Sequence, residues 1–462
     1  MSALPRGWKT VSLGKVSEVN PREPGPPDHT RFVSFVPMPA VSDTEGVIMS
    51  HGTKRFSDVA KGYTRFREQD VIFAKITPCM ENGKIAVAIG LHGGFACGST
   101  EFHVLRSSAA VHPAYLWRFL RQAAFREEAE RHMTGAVGQR RVPAQYIKDA
   151  VIPLPPVEEQ DRIVSRLDEL LDHSKSARDG LASIPRLVER YKQAILAAAF
   201  RGELTADWRR KSCTNPKGSP ATELAAIRSA CFRKRGIKEK PALPPSWTPD
   251  LDLPASWEFV SVDQMTTLVQ YGSSAKTSES TKGVPVLRMG NIFDGRLDYT
   301  NLKYLPASHD EFPELLLREG DILFNRTNSA ELVGKTAVYS DRGHPISFAS
   351  YLIRVRVVGY LPGLLSAYIN SALGREWVRS VVNQQVGQAN VNGTKLRELG
   401  VPFMPVDEQK QLWSLINRAF TSIDHLSKEA TRANELLDRL DEATLAKAFR
   451  GELRRKHAQE AS

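Results

Sequence analysis

The chain has 462 residues, of which 41% are hydrophobic and 25% charged. That composition excludes a disordered chain, and the length suggests about three domains. There are 63 basic residues against 52 acidic, a net charge of +11, which suits a polyanionic partner. Four cysteines with no C-x-x-C pair exclude a disulfide scaffold and argue against a structural zinc site. The opening residues show no apolar signal segment. No apolar run approaches the roughly 20 residues a membrane helix needs. A cytoplasmic protein is expected.

Residues 1–155 mix short β-rich runs with Gly and Pro turns, as in Asp70 to Ile76, and read as an α+β domain. Short helices are expected between Pro113 and Arg131. The glycine-rich stretch Gly90–Gly98 reads as a hairpin turn. Residues 156–205 read as one long helix. Pro155-Pro156 and then Glu158-Glu159 suit its start. Ile163, Leu167, Leu170, Ala177, Leu181, Ile184, Val188, Tyr191, Ile195 and Ala198 follow at alternating spacings of 4 and 3. With Ser174 filling the gap, this is a coiled-coil seam. Pro185 should interrupt the helix, and Gly202 sits where a left-handed C-cap belongs.

A linker is expected over 206–249, with ten basic and three acidic residues. It reads either as a flexible basic loop able to touch DNA phosphates or as a solvated connector, with a short helix at 221–234. Residues 250–404 form a second α+β domain, with a strand at Ser350–Val358. Residues 405–455 are a second long helix, with Leu412, Ile416, Ala419, Ile423, Leu426, Ala430, Ala433, Leu437 and Leu440 on its seam and Gly451 at its end. A short tail covers 456–462. At about 1.5 Å per residue each helix is roughly 65 Å long.

The second half repeats the first. Leu4, Pro5 and Trp8 recur as Leu253, Pro254 and Trp257, an offset of 249. Val137-Gly138-Gln139 recurs as Val386-Gly387-Gln388. Pro156 to Gln160 recurs as Pro405 to Gln409, and Phe200 to Leu204 as Phe449 to Leu453. Asp70 to Phe73 matches Asp321 to Phe324 at a drifted offset of 251, as Gly83-Lys84 matches Gly334-Lys335. Duplication gives one chain the symmetry of a dimer. The two seams are expected to cover each other as an antiparallel coiled coil with an internal pseudo-twofold.

Catalytic signatures are missing. Gly334-Lys335-Thr336 has the tail of a phosphate-binding loop, but Ser329 stands where its first glycine belongs. There is no H-E-x-x-H and no G-x-S-x-G. The histidines show no metal spacing, so neither a catalytic nor a metal site is expected. Trp8 and Trp257 read as core anchors. The candidate contacts are for DNA. Lys75 and Arg326 follow matching strands, where a cation can reach phosphate or guanine. Lys84 and Lys335 fit either a phosphate contact or a turn. Gln139, Arg140 and Arg141 in one loop, with Gln388 and Asn390 in its counterpart, pair amides and guanidiniums with glycines that permit close approach to a groove. Residues 1–150 carry 20 basic and 14 acidic groups. Residues 250–404 carry 15 and 16, so a basic face on the second domain needs local clustering.

The doubled L-P-x-x-W, the run Leu154 to Gln160 before the helix, and the doubled Phe-Arg-Gly-Glu-Leu resemble the specificity (S) subunits of type I restriction-modification systems. The resemblance covers essentially the whole chain. It implies two target recognition domains on an antiparallel coiled coil and no catalysis by the chain itself. Each domain would read one half of a bipartite site in double-stranded DNA, and because the two heads differ beyond the shared motifs an asymmetric site is expected. The partners implied are two methyltransferase (modification) subunits and, through them, two restriction subunits. S-adenosylmethionine, ATP and magnesium would belong to those partners, with no cofactor on this chain. Arg162, Arg166 and Arg190 fit either a docking face or a solvated flank. The rival reading is a coiled-coil scaffold whose end domains bind protein.

Overall fold

The computed structural model describes residues 4–26, 28–136, 138–212, 219–329, 331–385 and 388–453. The 456–462 tail and the linker stretch 213–218 lie outside these. The chain divides into two units, residues 1–183 with 430–462, and residues 184–429. Each unit takes its head from one repeat and helical segments from both.

In unit one, strands Ser17–Val19, Phe102–Ser107, Val71–Ala74 and Ile85–Val87 form an antiparallel sheet, in that order. A second sheet orders Gly52–Arg55, Phe32–Val36, Phe95–Gly98 and Thr64–Arg67, with the middle two strands parallel. The helices Pro113–Leu120 and Ala123–Arg131 appear where expected. Gly90–Gly98 is not a hairpin. It carries the chain from the edge of one sheet, through a short 3-10 turn, into the middle of the other.

Unit two repeats the plan. Strands Thr266–Tyr271, Leu352–Val357, Ile322–Asn325 and Thr336–Val338 form the sheet equivalent to the first. Val284–Leu287 pairs in parallel with Ser347–Phe348, as in the second sheet of unit one.

The first long helix runs Val157–Ala182, breaks at Ser183, and resumes at Ile184–Phe200. Pro185 explains the break, because it has no N–H to give the preceding turn. The second helix runs unbroken over Val406–Phe449. Within each unit the two helices are antiparallel. In unit one Ile163 and Leu167 share a core with Ala448 and Phe449, while Arg178 reaches Asp438 (3.0 Å) and Asp441 (2.7 Å). In unit two Leu196 and Phe200 meet Leu412 and Ile416, while Lys192 pairs with Asp424 at 3.2 Å.

Most of the expected seam is covered: Ser174 is buried, and Leu170, Leu181, Ile184, Val188, Ile423, Ala430, Ala433 and Leu437 are partly buried, with a few positions left exposed. Tyr191 and Leu426 are each 63% exposed and Leu440 54%. Leu196 rather than Ile195 is the fully buried residue. Near 163–167 or 412–416 a head covers the helices from a second side. Elsewhere the seam positions are mostly half-buried rather than fully buried.

The repeated motifs have structural tasks. Gly202 (φ +75°) and Gly451 (φ +72°) end their helices in the left-handed region, and a Cβ there would collide with Pro254 and Pro5 respectively. Each Phe-Arg-Gly-Glu-Leu end therefore rests on a Leu-Pro-x-x-Trp start. Trp257 is buried and Trp8 partly so, as core anchors should be. Gln160 accepts from His112 N (2.8 Å) and donates to the carbonyls of Ala110 (2.9 Å) and Pro155 (3.0 Å). Gln409 makes the same three bonds to Leu361, Gly359 and Met404. This glutamine ties the start of each helix to its head.

The Asp-Val-Ile-Phe aspartates are structural too. Asp70 accepts from Arg67 N and takes two bonds from Arg106. Asp321 does the same with Arg318 N and Arg356.

The part of the linker from Pro220 to Lys240 is docked. Its helix, Pro220–Lys234, buries Leu224 in the unit-two core. Arg228 is bonded to Thr266 O, Glu239 and Lys240 O. Enough apolar surface lies along this basic segment to dock it.

Candidate nucleic-acid interface

In unit one, strand Val71–Ala74 ends at Lys75. The chain there is stitched to the loop that follows the helices. Val142 N donates to Lys75 O (2.8 Å), Thr77 N donates to Arg140 O (3.1 Å), and Ile76 bridges Arg141. Two separate sequence candidates, the post-strand cation and the glycine loop, are thus one site. Gln139 is exposed. Arg140 pairs with Glu130 at 3.0 Å. Arg141 makes a two-toothed pair with Glu101, both bonds 2.9 Å. That bonding holds the Glu101 carboxyl below the usual carboxylate range. Lys75 has no ion-pair partner among the described residues. It lines a cavity of about 480 Å³ with Asn20, Tyr63 and Arg65.

His103 sits behind this site, 5% exposed. Its Nε2 donates to Val142 O at 2.8 Å, and Asn20 bonds its Nδ1 at 3.0 Å. Burial pushes its pKa below the usual imidazole value, which keeps the ring neutral and that acceptor available.

Unit two builds the same junction from different residues. Val391 N donates to Arg326 O at 2.9 Å, the counterpart of Val142 and Lys75. Asn390 pairs with Thr327 across two strands. The Arg326 guanidinium donates to Asn390 Oδ1 at 3.3 Å and lies 4.8 Å over the Tyr271 ring. The Tyr271 hydroxyl accepts from Gly393 N at 2.8 Å. Tyr271 and Tyr351 are 44% and 47% exposed beside Arg326. Gln388 lies in the strand Gln388–Asn390, but its side chain, like Val386 and Gly387, lies outside the described residues.

The Gly-Lys pair stands apart. Lys84 Nζ donates to Val41 O at 2.6 Å, 43 residues away in the chain, rather than joining Lys75. Lys335 lines a cavity beside the unit-two helices rather than joining Arg326 and Asn390.

Sequence reading missed Asn20 and Tyr271. They lie 251 residues apart, the same drifted offset, and hold equivalent places beside Lys75 and Arg326. That signal was available. Among the described residues no acidic, histidine or cysteine group could hold a metal ion, and no helix is long and apolar enough to cross a membrane.

The fold and these paired sites define a duplicated protein with two similar α+β heads, each offering a cation beside an amide or aromatic side chain. Residues 5–184 match the type I restriction modification DNA specificity domain. The EcoEI specificity subunit of Escherichia coli is 26% identical, over 96% of this chain and 83% of that one. The EcoAI specificity subunit of the same species is 29% identical over 70% of this chain, and the match spans 62% of the EcoAI length. The HsdS subunit from Thermoanaerobacter tengcongensis shares the fold, with TM-score 0.60, 22% identity, and 97% and 98% of the two chains covered. A chain from a structural study of type I R-M complex assembly reaches TM-score 0.69 at 20% identity, over 98% of this chain and all of that one. The chain is thus similar, along nearly its whole length, to the specificity subunits of type I restriction-modification systems.

Proposed function

We propose that each head reads one half of a bipartite, asymmetric site in double-stranded DNA, and that the helices set the spacer between the halves. One observation carries this. At equivalent places in the two units, a strand-end cation is hydrogen-bonded to a loop bearing amide or guanidinium groups. The framework is the same and the side chains differ, Lys75 with Gln139, Arg140 and Arg141 in one unit, Arg326 with Gln388 and Asn390 in the other. A shared frame with different readers is what two unlike half-sites require. Glutamine and asparagine suit adenine, and arginine suits guanine or phosphate.

The helices also dock two methyltransferase subunits, and through them two restriction subunits. S-adenosylmethionine, ATP and magnesium are held by those partners in the cytoplasm. The test is the adenine methylome of the host with and without this gene, partner transcripts being present. Loss of methylation at one split, asymmetric motif is expected. A palindromic motif would refute the two-reader arrangement. An unchanged methylome would favour a scaffold whose heads bind protein.

A further inference from the structure

Unit two contains a cavity of about 740 Å³ between its head and its own helices. The internal repeat shows what created it. In unit one the helix Pro113–Leu120 and the residue after it present Trp117, Arg118 and Arg121 to this place. Trp117 Nε1 donates to Ile85 O at 2.9 Å. Arg118 lies 4.3 Å over the Trp117 ring and pairs with Asp168 at 2.5 Å. Arg121 reaches the Asp43 and Thr44 carbonyls beside Gly46. At the offset of 249, unit two has Ser366, Ala367 and Asn370, with Asn417 for Asp168. An indole and two guanidiniums have been replaced by three short side chains, and all three line the cavity.

The vacated space is not simply closed. Trp413 packs against Gly363 from the helix side, yet it still lines an open volume, together with Phe420 and Tyr299. The volume lies within the roughly 300–1,000 Å³ usual for small-molecule sites. The charges around it are unbalanced. Five cationic side chains (Lys192, Arg296, Lys335, Arg342, Arg375) line it against two acidic ones (Glu189, Asp294), a formal balance of +3. Lys192 is committed to Asp294 and Asp424, and Arg296 to Asp424. Lys335 and Arg342 have no ion-pair partner among the described residues, and Arg342 lies 4.3 Å over the Tyr299 ring. Gln193 Oε1, at the wall, is buried with no hydrogen-bond partner among the described residues.

We infer that this cavity is a binding site for a small anion that carries a planar ring, of the nucleoside monophosphate class. Aromatic side chains Trp413, Phe420 and Tyr299 supply faces for a ring. Lys335 and Arg342 supply charge for a phosphate. Gln193 Oε1 supplies an acceptor for an exocyclic amine. The site is distinct from the Arg326–Asn390 cluster, and it does not depend on how the heads read DNA.

The experiment is calorimetric titration of the full chain with AMP, with adenosine and inorganic phosphate as separate probes. AMP is expected to bind with a Kd below about 1 mM, at least tenfold tighter than either probe. Lys335→Gln should weaken AMP about tenfold and leave adenosine unchanged. Ala367→Arg, which restores the unit-one residue, should abolish binding. Ala367→Leu serves the same purpose with a smaller, uncharged side chain should the arginine prevent folding. No binding of AMP to the wild-type chain would overturn the inference. So would equal binding of phosphate alone, equal binding of adenosine, or undiminished binding by a folded, cavity-filled variant.

Discussion

Asp321→Asn tests whether the repeated aspartate is a structural keystone. Asp321 is fully buried and accepts from Arg318 N at 2.9 Å. Arg356 gives it two bonds of 2.7 Å, and the Arg354 guanidinium stands 3.7 Å away. Arg354 is itself 2% exposed, and burial pulls its pKa down to about 10. Neutralising the aspartate leaves two largely buried guanidiniums without a counter-charge. Breaking a buried pair from one side costs about 3–5 kcal/mol. In a unit of this size, each kcal/mol shifts the melting temperature by roughly 2–4 °C. Unit two should therefore melt roughly 6–20 °C lower. Asp70→Asn is the internal control. It faces one guanidinium, Arg106, which keeps a second partner in Glu23 at 2.9 Å. Its cost should be about half as large or less. Scanning calorimetry of the full chain reads both. The reasoning fails if the two substitutions cost the same, or if Asp321→Asn shifts the transition by less than about 2 °C.

Gln409→Ala removes three hydrogen bonds at the start of a helix and strands two carbonyls, so denaturant titration should show a loss of about 2–4 kcal/mol. Gln409→Glu should not restore stability, because a carboxylate cannot donate to the Gly359 and Met404 carbonyls. Arg326→Ala should weaken binding of the cognate duplex by a partner-loaded complex about 10- to 100-fold. A loss confined to ionic strength dependence, with no change in sequence preference, would make Arg326 a phosphate contact instead. The His103 pKa is lowered in the folded chain, so the unfolded chain binds more protons as pH falls through the ordinary imidazole range near 6.5. Unit one should lose stability from about pH 7 downward, until the folded form also protonates. His103→Gln should flatten that part of the profile.

The sequence by itself determined the architecture. Two registers of matching residues fixed the duplication, and a 4–3 apolar rhythm between a proline pair and a terminal glycine fixed each long helix. These signals survive in one dimension because they are local or self-repeating. Its motifs were legible as markers but not as causes. Gln160 and Gln409 as helix ties, and Asp70 and Asp321 as clasps for arginines more than thirty residues away, depend on contacts that no spacing reveals.

The interface was half legible. Lys75 and the loop at Gln139 were each singled out, but their union depends on the bond from Val142 N to Lys75 O, across 67 residues. Lys84 looked the same as Lys335 in sequence. Only folding turned one onto the Val41 carbonyl and set the other at the wall of a cavity. The seam was legible as a face seeking cover, but how deeply each position is buried was not, because full burial near Ile163 and Leu412 adds a head as a second surface. Side-chain volume decided the cavity. Trp117, Arg118 and Arg121 against Ser366, Ala367 and Asn370 is a plain difference in sequence, and it became a space only once both triplets were folded against the same kind of helix pair.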